Sequence, residues 1–128
     1  MSRLDIPDLG LATLDDMCSN TGMIASLDRD VPVIVEADTR FGGPMMVART
    51  VEKYALAGVA ALHIEDQTTT KRCGRILGKE LVLSPVFASR IRAAAAARDA
   101  LQSLGLDEAV ARLRAAAGRA PTSHSSRR

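Results

Sequence analysis

The sequence predicts an α/β fold built on a parallel sheet. Three observations carry that prediction: helical and strand patterns alternate along the chain, one helix separates the two strand patterns, and both strands run into acids. Alternation of this kind marks βαβ units. A single helix between two strands also has the right length for the right-handed crossover that joins parallel neighbours.

The elements follow in order. Thr13 stands three residues before Asp16, the pattern of a capping box, and predicts a helix running to about Leu27. The turn Asp28-Arg29-Asp30 ends it. Pro32 introduces Val33-Ile34-Val35, a continuous apolar run expected to be a strand buried on both faces. The polar stretch from Glu36 to Gly43 follows. Pro44 opens a second helix, with Val47, Val51, Tyr54 and Ala55 on one face and Gly58 as its stop. Val59 to Ile64 predicts the second strand, ending in Glu65-Asp66. A long polar loop spans about Gln67 to Leu83. Ser84-Pro85 predicts an N-cap followed by the first helical residue, opening an Ala-rich helix to about Leu101. After Gly105, residues Asp107 to Ala117 predict a further helix that Gly118 stops. The domain is expected to span 1–117, with 118–128 a disordered basic tail.

Composition narrows the function classes. Aromatics make up 2% of the chain, with Tyr54 its one Tyr, so an aliphatic, Ala-rich core of modest stability is expected. The net charge of +2 comes from the end of the chain, where Arg119, Arg127 and Arg128 lie. Without them 14 basic groups face 15 acidic ones, which leaves no nucleic-acid footprint. No apolar run approaches the roughly 18 residues of a membrane span. The opening MSRLDIPDLG has no apolar signal region, and Cys18 and Cys73 lack CxxC spacing. The expectation is an intracellular protein, cytoplasmic or organellar and not secreted, binding neither nucleic acid nor membrane.

Ligands of parallel α/β folds bind at the carboxyl ends of the strands. Glu36 and Asp38 follow the first strand, Glu65 and Asp66 the second. Clustered carboxylates repel unless a cation or protons offset them, and oxygen-only donors favour magnesium or manganese. Ordinary acidic loop residues are the other reading. Cys73 lies among Lys71, Arg72 and Arg75, where flanking cations would stabilise its thiolate; a half-buried loop cysteine is the alternative. Cys18 falls in an amphipathic helix and is assigned to packing. His63, near the end of the second strand, reads more readily as a structural group than as a catalyst. Gly42-Gly43 before Pro44 offers a helix N-terminus to an anion, on weak evidence alone.

Several stretches resemble the isocitrate lyase/phosphoenolpyruvate mutase superfamily. PVIVEADTRFGG (32–43) is similar to P-(V/L)-(I/L)-x-D-A-D-T-G-(Y/F)-G. AGVAALHIEDQ (57–67) nearly repeats AGVAGLHIEDQ. KRCGRILGK (71–79) resembles the signature K-(K/R)-C-G-H with its following Gly-Lys. IPDLGLATLDDM and RIRAAAAARDAL resemble flanking segments, so the likeness covers about residues 4–117. It implies a TIM (β/α)8 barrel, incomplete here, and Mg2+ (Mn2+ as an alternative). It also implies carbon–carbon cleavage of a small 2-hydroxy or 2-oxo carboxylate, and a homo-oligomer is expected.

Carried over residue by residue, the resemblance makes Glu36 the direct metal ligand. Asp38, Glu65 and Asp8 hold the ion largely through water. Cys73 becomes the acid/base on a closing loop with Lys71 and Arg72, while Thr39, Gly42, Gly43, Gly74 and Arg75 face substrate. Three positions depart from the family pattern. Glu36 replaces Asp, Arg40 replaces a Gly beside the acids, and Arg75 replaces the signature His. Arg98-Asp99-Ala100-Leu101 also runs directly into Gly105-Leu106-Asp107-Glu108-Ala109, where relatives insert a strand ending in Ala-Arg-Thr-Asp-Ala. The alternative function is therefore an inactive remnant that associates with other barrel subunits.

Overall fold

The computed structural model describes residues 11–39, 42–68 and 77–104. Five elements follow one another: α1 (Leu14–Leu27), β1 (Ile34–Glu36), α2 (Pro44–Leu56), β2 (Ala61–His63) and α3 (Ser84–Ser103). β1 and β2 pair in parallel, with Ile34 opposite Ala61, Val35 opposite Leu62 and Glu36 opposite His63. The predicted alternation and the parallel pairing are both present. The predicted helix 107–117 and the tail lie outside the described residues.

α1 begins as its sequence dictates. The Thr13 backbone N donates to Asp16 Oδ2 at 2.9 Å, and the Asp16 N donates back to Thr13 Oγ1 at 3.2 Å. The Thr13 hydroxyl also donates to Asp16 Oδ2 at 2.6 Å. These bonds, the side-chain one first, hold the Asp16 carboxyl below its ordinary value. Their stabilising effect is therefore present above the unfolded carboxyl pKa and lost as pH falls through the folded one. Thr13→Ala is expected to cost about 1 kcal/mol of stability, read as a lowered urea midpoint. At the other end, Asp30 N donates to Asp28 Oδ1 at 2.9 Å and closes the predicted turn.

α2 starts with Pro44 after Gly43 at the N-cap. It ends in a Schellman motif. Gly58 N donates to Ala55 O and Val59 N to Tyr54 O, both at 3.0 Å, with Gly58 at φ 87°. The accompanying contact joins Val59 to Tyr54, and both belong to the core. The helix stop therefore also delivers Val59 to the core just before β2.

The core consists of Ala37, Tyr54 and Val59, with Leu14, Met17, Cys18, Val35, Leu62 and Ile64 packed around them. Cys18 is a packing residue, as expected, and burial raises its thiol pKa. Alanines 25, 37, 60 and 97 are all buried, so the Ala-rich expectation holds. The expectation of a purely aliphatic core does not hold. Tyr54, 1% exposed, sits at its centre. α1 and α3 both pack against α2, and Lys53 of α2 pairs with Asp15 of α1.

Four details differ from the sequence prediction. β1 is not buried on both faces: Ile34 is 56% exposed, while Val35 turns inward. Among the described residues nothing covers the side of the sheet that carries Ile34. The second strand is regular only over Ala61–His63, because Ala60 N and Ala61 N share the Val33 carbonyl before the ladder begins. The cap of α3 is Leu83 rather than Ser84, and it makes no side-chain bond. Proline is tolerated throughout a helix's first turn, so Pro85 does not specify which neighbour holds the cap. The predicted loop 67–83 is also closed at its base. Gln67 and Leu81 form an antiparallel bridge, with Thr68 N donating to Glu80 O and Val82 N to Asp66 O, each at 2.8 Å.

Candidate active site at the carboxyl end of the sheet

Side chains alternate across a strand, so residues 34 and 36 share one face of β1, and 61 and 63 share one face of β2. The exposed positions Ile34, Glu36 and His63 mark that face as the one turned away from the core. The register sets Glu36 opposite His63, and Glu65 follows two residues on. Ala37 N donates to His63 O at 2.8 Å and carries the ladder one residue past β1. The acids predicted from sequence therefore lie at one end of the sheet, with Glu36 on its uncovered face.

Asp38 is the one described non-glycine residue with positive φ, at 57°. This left-handed turn favours Asp, Asn and Gly. It lets Asp38 Oδ1 accept from Thr39 N at 2.6 Å and from Thr39 Oγ1 at 3.3 Å. Thr39 is itself buried. Gly42 has φ 91°, a backbone conformation that favours glycine, while a Cβ added there would meet Met46 Cγ at 3.4 Å, an ordinary contact. Gly43 then caps α2.

Just beyond β2, Glu65 Oε2 accepts from Gln67 Nε2 at 2.9 Å. Gln67 is 5% exposed, and its carbonyl accepts from Arg90 Nη1 at 3.2 Å. Tyr54 Oη donates to Glu36 O at 3.4 Å, a long bond from the core to the site strand. Gln67, Arg90 and Tyr54 were missed as site neighbours by sequence reasoning. One signal was available for Arg90: it is a charge on the stripe Phe87-Arg90-Ala94-Ala97-Leu101, which otherwise reads as apolar.

The structure thus brings Glu36, Asp38, Thr39, Gly42, Gly43 and Glu65 to one end of the sheet. Asp8, Arg40, Lys71, Arg72, Cys73, Gly74 and Arg75 lie outside the described residues. The donor chemistry, oxygen only, suits a hard divalent cation. Even so, no group of three acids, imidazoles or thiols among the described residues is placed to hold one, so no coordination is assigned. A groove of about 330 Å3 between α2, β2 and α3 is lined by Val51, Tyr54, Ala55, Ile91, Ala95 and Leu101 and by none of these acids.

Known proteins resemble the chain over most of its length. The family described as phosphoenolpyruvate phosphomutase matches residues 2–118. A probable 2-methylisocitrate lyase 2 of Corynebacterium glutamicum is 42% identical over 123 residues, covering 88% of this chain and 40% of the relative. The 2,3-dimethylmalate lyase of Eubacterium barkeri is 38% identical over 122 residues, covering 87% and 42% respectively. A structure of oxaloacetate acetylhydrolase with the inhibitor 3,3-difluorooxalacetate superposes with a TM-score of 0.72 at 50% identity, over 91% of this chain and 44% of that one.

Fold and site together therefore define part of a TIM-type barrel of the PEP mutase/isocitrate lyase superfamily. The chain belongs to the phosphoenolpyruvate phosphomutase family, and it spans about two fifths of the length of the curated relatives it matches. This accounts for the exposure of Ile34. A barrel interior is filled by side chains from all eight strands, and the two strands among the described residues cannot fill it.

Proposed function

We propose that the chain carries the acid-bearing part of an active site for carbon–carbon cleavage of a small 2-hydroxy or 2-oxo carboxylate. The observation that carries this reading is the register of β1 and β2, which brings the acids of both strands to one end of the sheet. The named relatives, lyases and an acetylhydrolase, support it. In a retro-aldol cleavage a base takes the substrate's hydroxyl proton, the carbinol becomes a carbonyl as the carbon–carbon bond breaks, and the electrons of that bond pass to an enolate, which then takes a proton from an acid. Cys73, among Lys71, Arg72 and Arg75, is the group proposed to supply that proton.

Asp38 is fixed by its own turn and orders the Thr39 backbone beside substrate. Gly42 and Gly43 present the α2 N-terminus to a substrate carboxylate. A magnesium ion drawn to Glu36, Asp38, Glu65 and Asp8, or manganese in its place, supplies positive charge against developing oxyanion when bound. The chain is assigned to an intracellular compartment, cytoplasmic or organellar.

Isothermal titration with magnesium and oxalate, an enolate mimic, tests this reading. Oxalate is expected to bind only in the presence of magnesium. Absence of binding by well-folded protein would overturn the proposal.

A second reading is favoured by the uncovered sheet face and by the exposed Ile34, Leu56, Leu77 and Leu83. On this reading the chain is catalytically silent and associates with further barrel subunits, including copies of itself. Light scattering is then expected to show assemblies, and a cooperative monomer with lyase turnover would rule the second reading out.

A further inference from the structure

Arg90 sits on the buried stripe of α3 and is 5% exposed. Its Nε has no hydrogen-bond partner among the described residues. Burying a guanidinium is costly, and leaving one of its donors unmatched adds to that cost. An apolar side chain on this stripe would avoid both costs. What the arginine adds is its hold on the loop base, where Nη1 donates to Gln67 O. Gln67 is buried in turn, is fixed by the bridge to Leu81, and donates its side-chain amide to Glu65 Oε2. Arg90 also lines a hollow of about 10 Å3 together with Asp38, Thr39 and Thr50, which places it beneath the other acid-bearing turn as well.

We propose that Arg90 is a positioning residue: through Gln67 it sets the Glu65 carboxylate and closes the base of the loop that carries Lys71 and Cys73. The linkage starts in helix α3, crosses the loop base and ends on the acid. It therefore ties α3 to the site, although no residue of α3 was predicted to belong there. The Glu65 end of this proposal rests on the site reading above, whereas the hold of Arg90 on Gln67 does not.

The test follows the Gln67 side-chain amide protons and the Thr68 and Val82 backbone amides by NMR in Arg90→Met, Arg90→Lys and the parent. Exchange of all three is expected to rise about tenfold in Arg90→Met, as loss of a hydrogen bond to a charged group implies. The Gln67 amide resonance should move as well. Amides of α2 and of distal α3 should stay unchanged, and Arg90→Lys should recover part of the protection. An unchanged Gln67 amide in Arg90→Met overturns the proposal. If Arg90→Met does not fold, Arg90→Lys decides by the same signals, because a lysine, whose donors all sit on one nitrogen without the guanidinium's planar fork, must still weaken them.

Gln67→Met tests the Glu65 end. Mn2+ affinity should fall about tenfold, as for loss of a partner that orients a metal-site carboxylate, with Val82 protection retained. Unchanged Mn2+ affinity overturns that half. If the parent binds no Mn2+, the metal reading of the site fails, while the NMR comparison still decides the role of Arg90.

Discussion

Replacing Tyr54 with alanine is expected to remove most of the protein's stability and to lower its urea midpoint steeply. Among the described residues Tyr54 is the largest fully buried side chain, and Leu14, Met17, Cys18, Val35, Leu62 and Ile64 pack around the core it forms with Ala37 and Val59. Truncating a buried aromatic costs about 3–5 kcal/mol, the lost transfer energy plus the cavity left behind. A small domain has only roughly 5–15 kcal/mol in total, and an Ala-rich one belongs near the lower limit. The side chain also joins the Schellman end of α2 to the core, so its loss loosens the approach to β2. Urea unfolding followed by far-UV circular dichroism measures the effect. A midpoint within experimental error of the parent would refute it.

The hydroxyl makes a separable contribution. Burial, reinforced by the charges of Cys18, Asp38 and Glu36, pushes the Tyr54 phenol well above its ordinary range. The folded pKa lies above the unfolded value of about 10, so the stabilising effect is complete below pH 10 and is lost as pH rises beyond it. Tyr54→Phe should cost less than about 1 kcal/mol at neutral pH, since the bond to Glu36 O is long. The same variant should flatten the alkaline decline of the parent. Tyr54 is the chain's one tyrosine, so tyrosinate absorbance reports on it without overlap.

The second large effect is expected at Cys73. On the proposed chemistry, Cys73→Ala lowers turnover by about 10²–10⁴-fold, the usual contribution of a general acid or base. Because the substitution removes a proton donor and no carboxylate, magnesium-dependent oxalate binding should stay within a factor of about two, given that binding and proton transfer are separable contributions. The measurement is turnover of 2-methylisocitrate, 2,3-dimethylmalate and oxaloacetate by parent and variant, with oxalate affinity in parallel. Equal turnover in the two proteins removes Cys73 from the chemistry. Oxalate affinity that falls along with turnover would instead assign Cys73 to binding.

Much of the fold was legible because its signals are local. The capping box at Thr13 and Asp16, Pro44 at the first turn of α2 and Gly58 at its end each act within a few residues, and each was found where expected. The site was legible in part for a different reason. Acids that directly follow a strand must fall at its carboxyl end, so the order of residues alone placed Glu36, Asp38 and Glu65. Burial was not legible in the same way. Val33-Ile34-Val35 reads as a strand covered on both faces, yet Ile34 is open, because cover depends on elements distant in the chain.

By itself the sequence settled the family, the order of helices and strands, and the positions of the acids along the chain, since recurring motifs, periodicity and capping are written in neighbouring residues. Tertiary structure alone decided that Tyr54 is the centre of the core and that Asp38 turns back on Thr39. It also decided that Arg90 reaches Gln67 from 23 residues away, with Glu65 held at the end of that linkage. The physical reason is that a buried ring, a left-handed turn or a guanidinium is tolerated only where packing brings it the right neighbours, and those neighbours come together only when the chain folds.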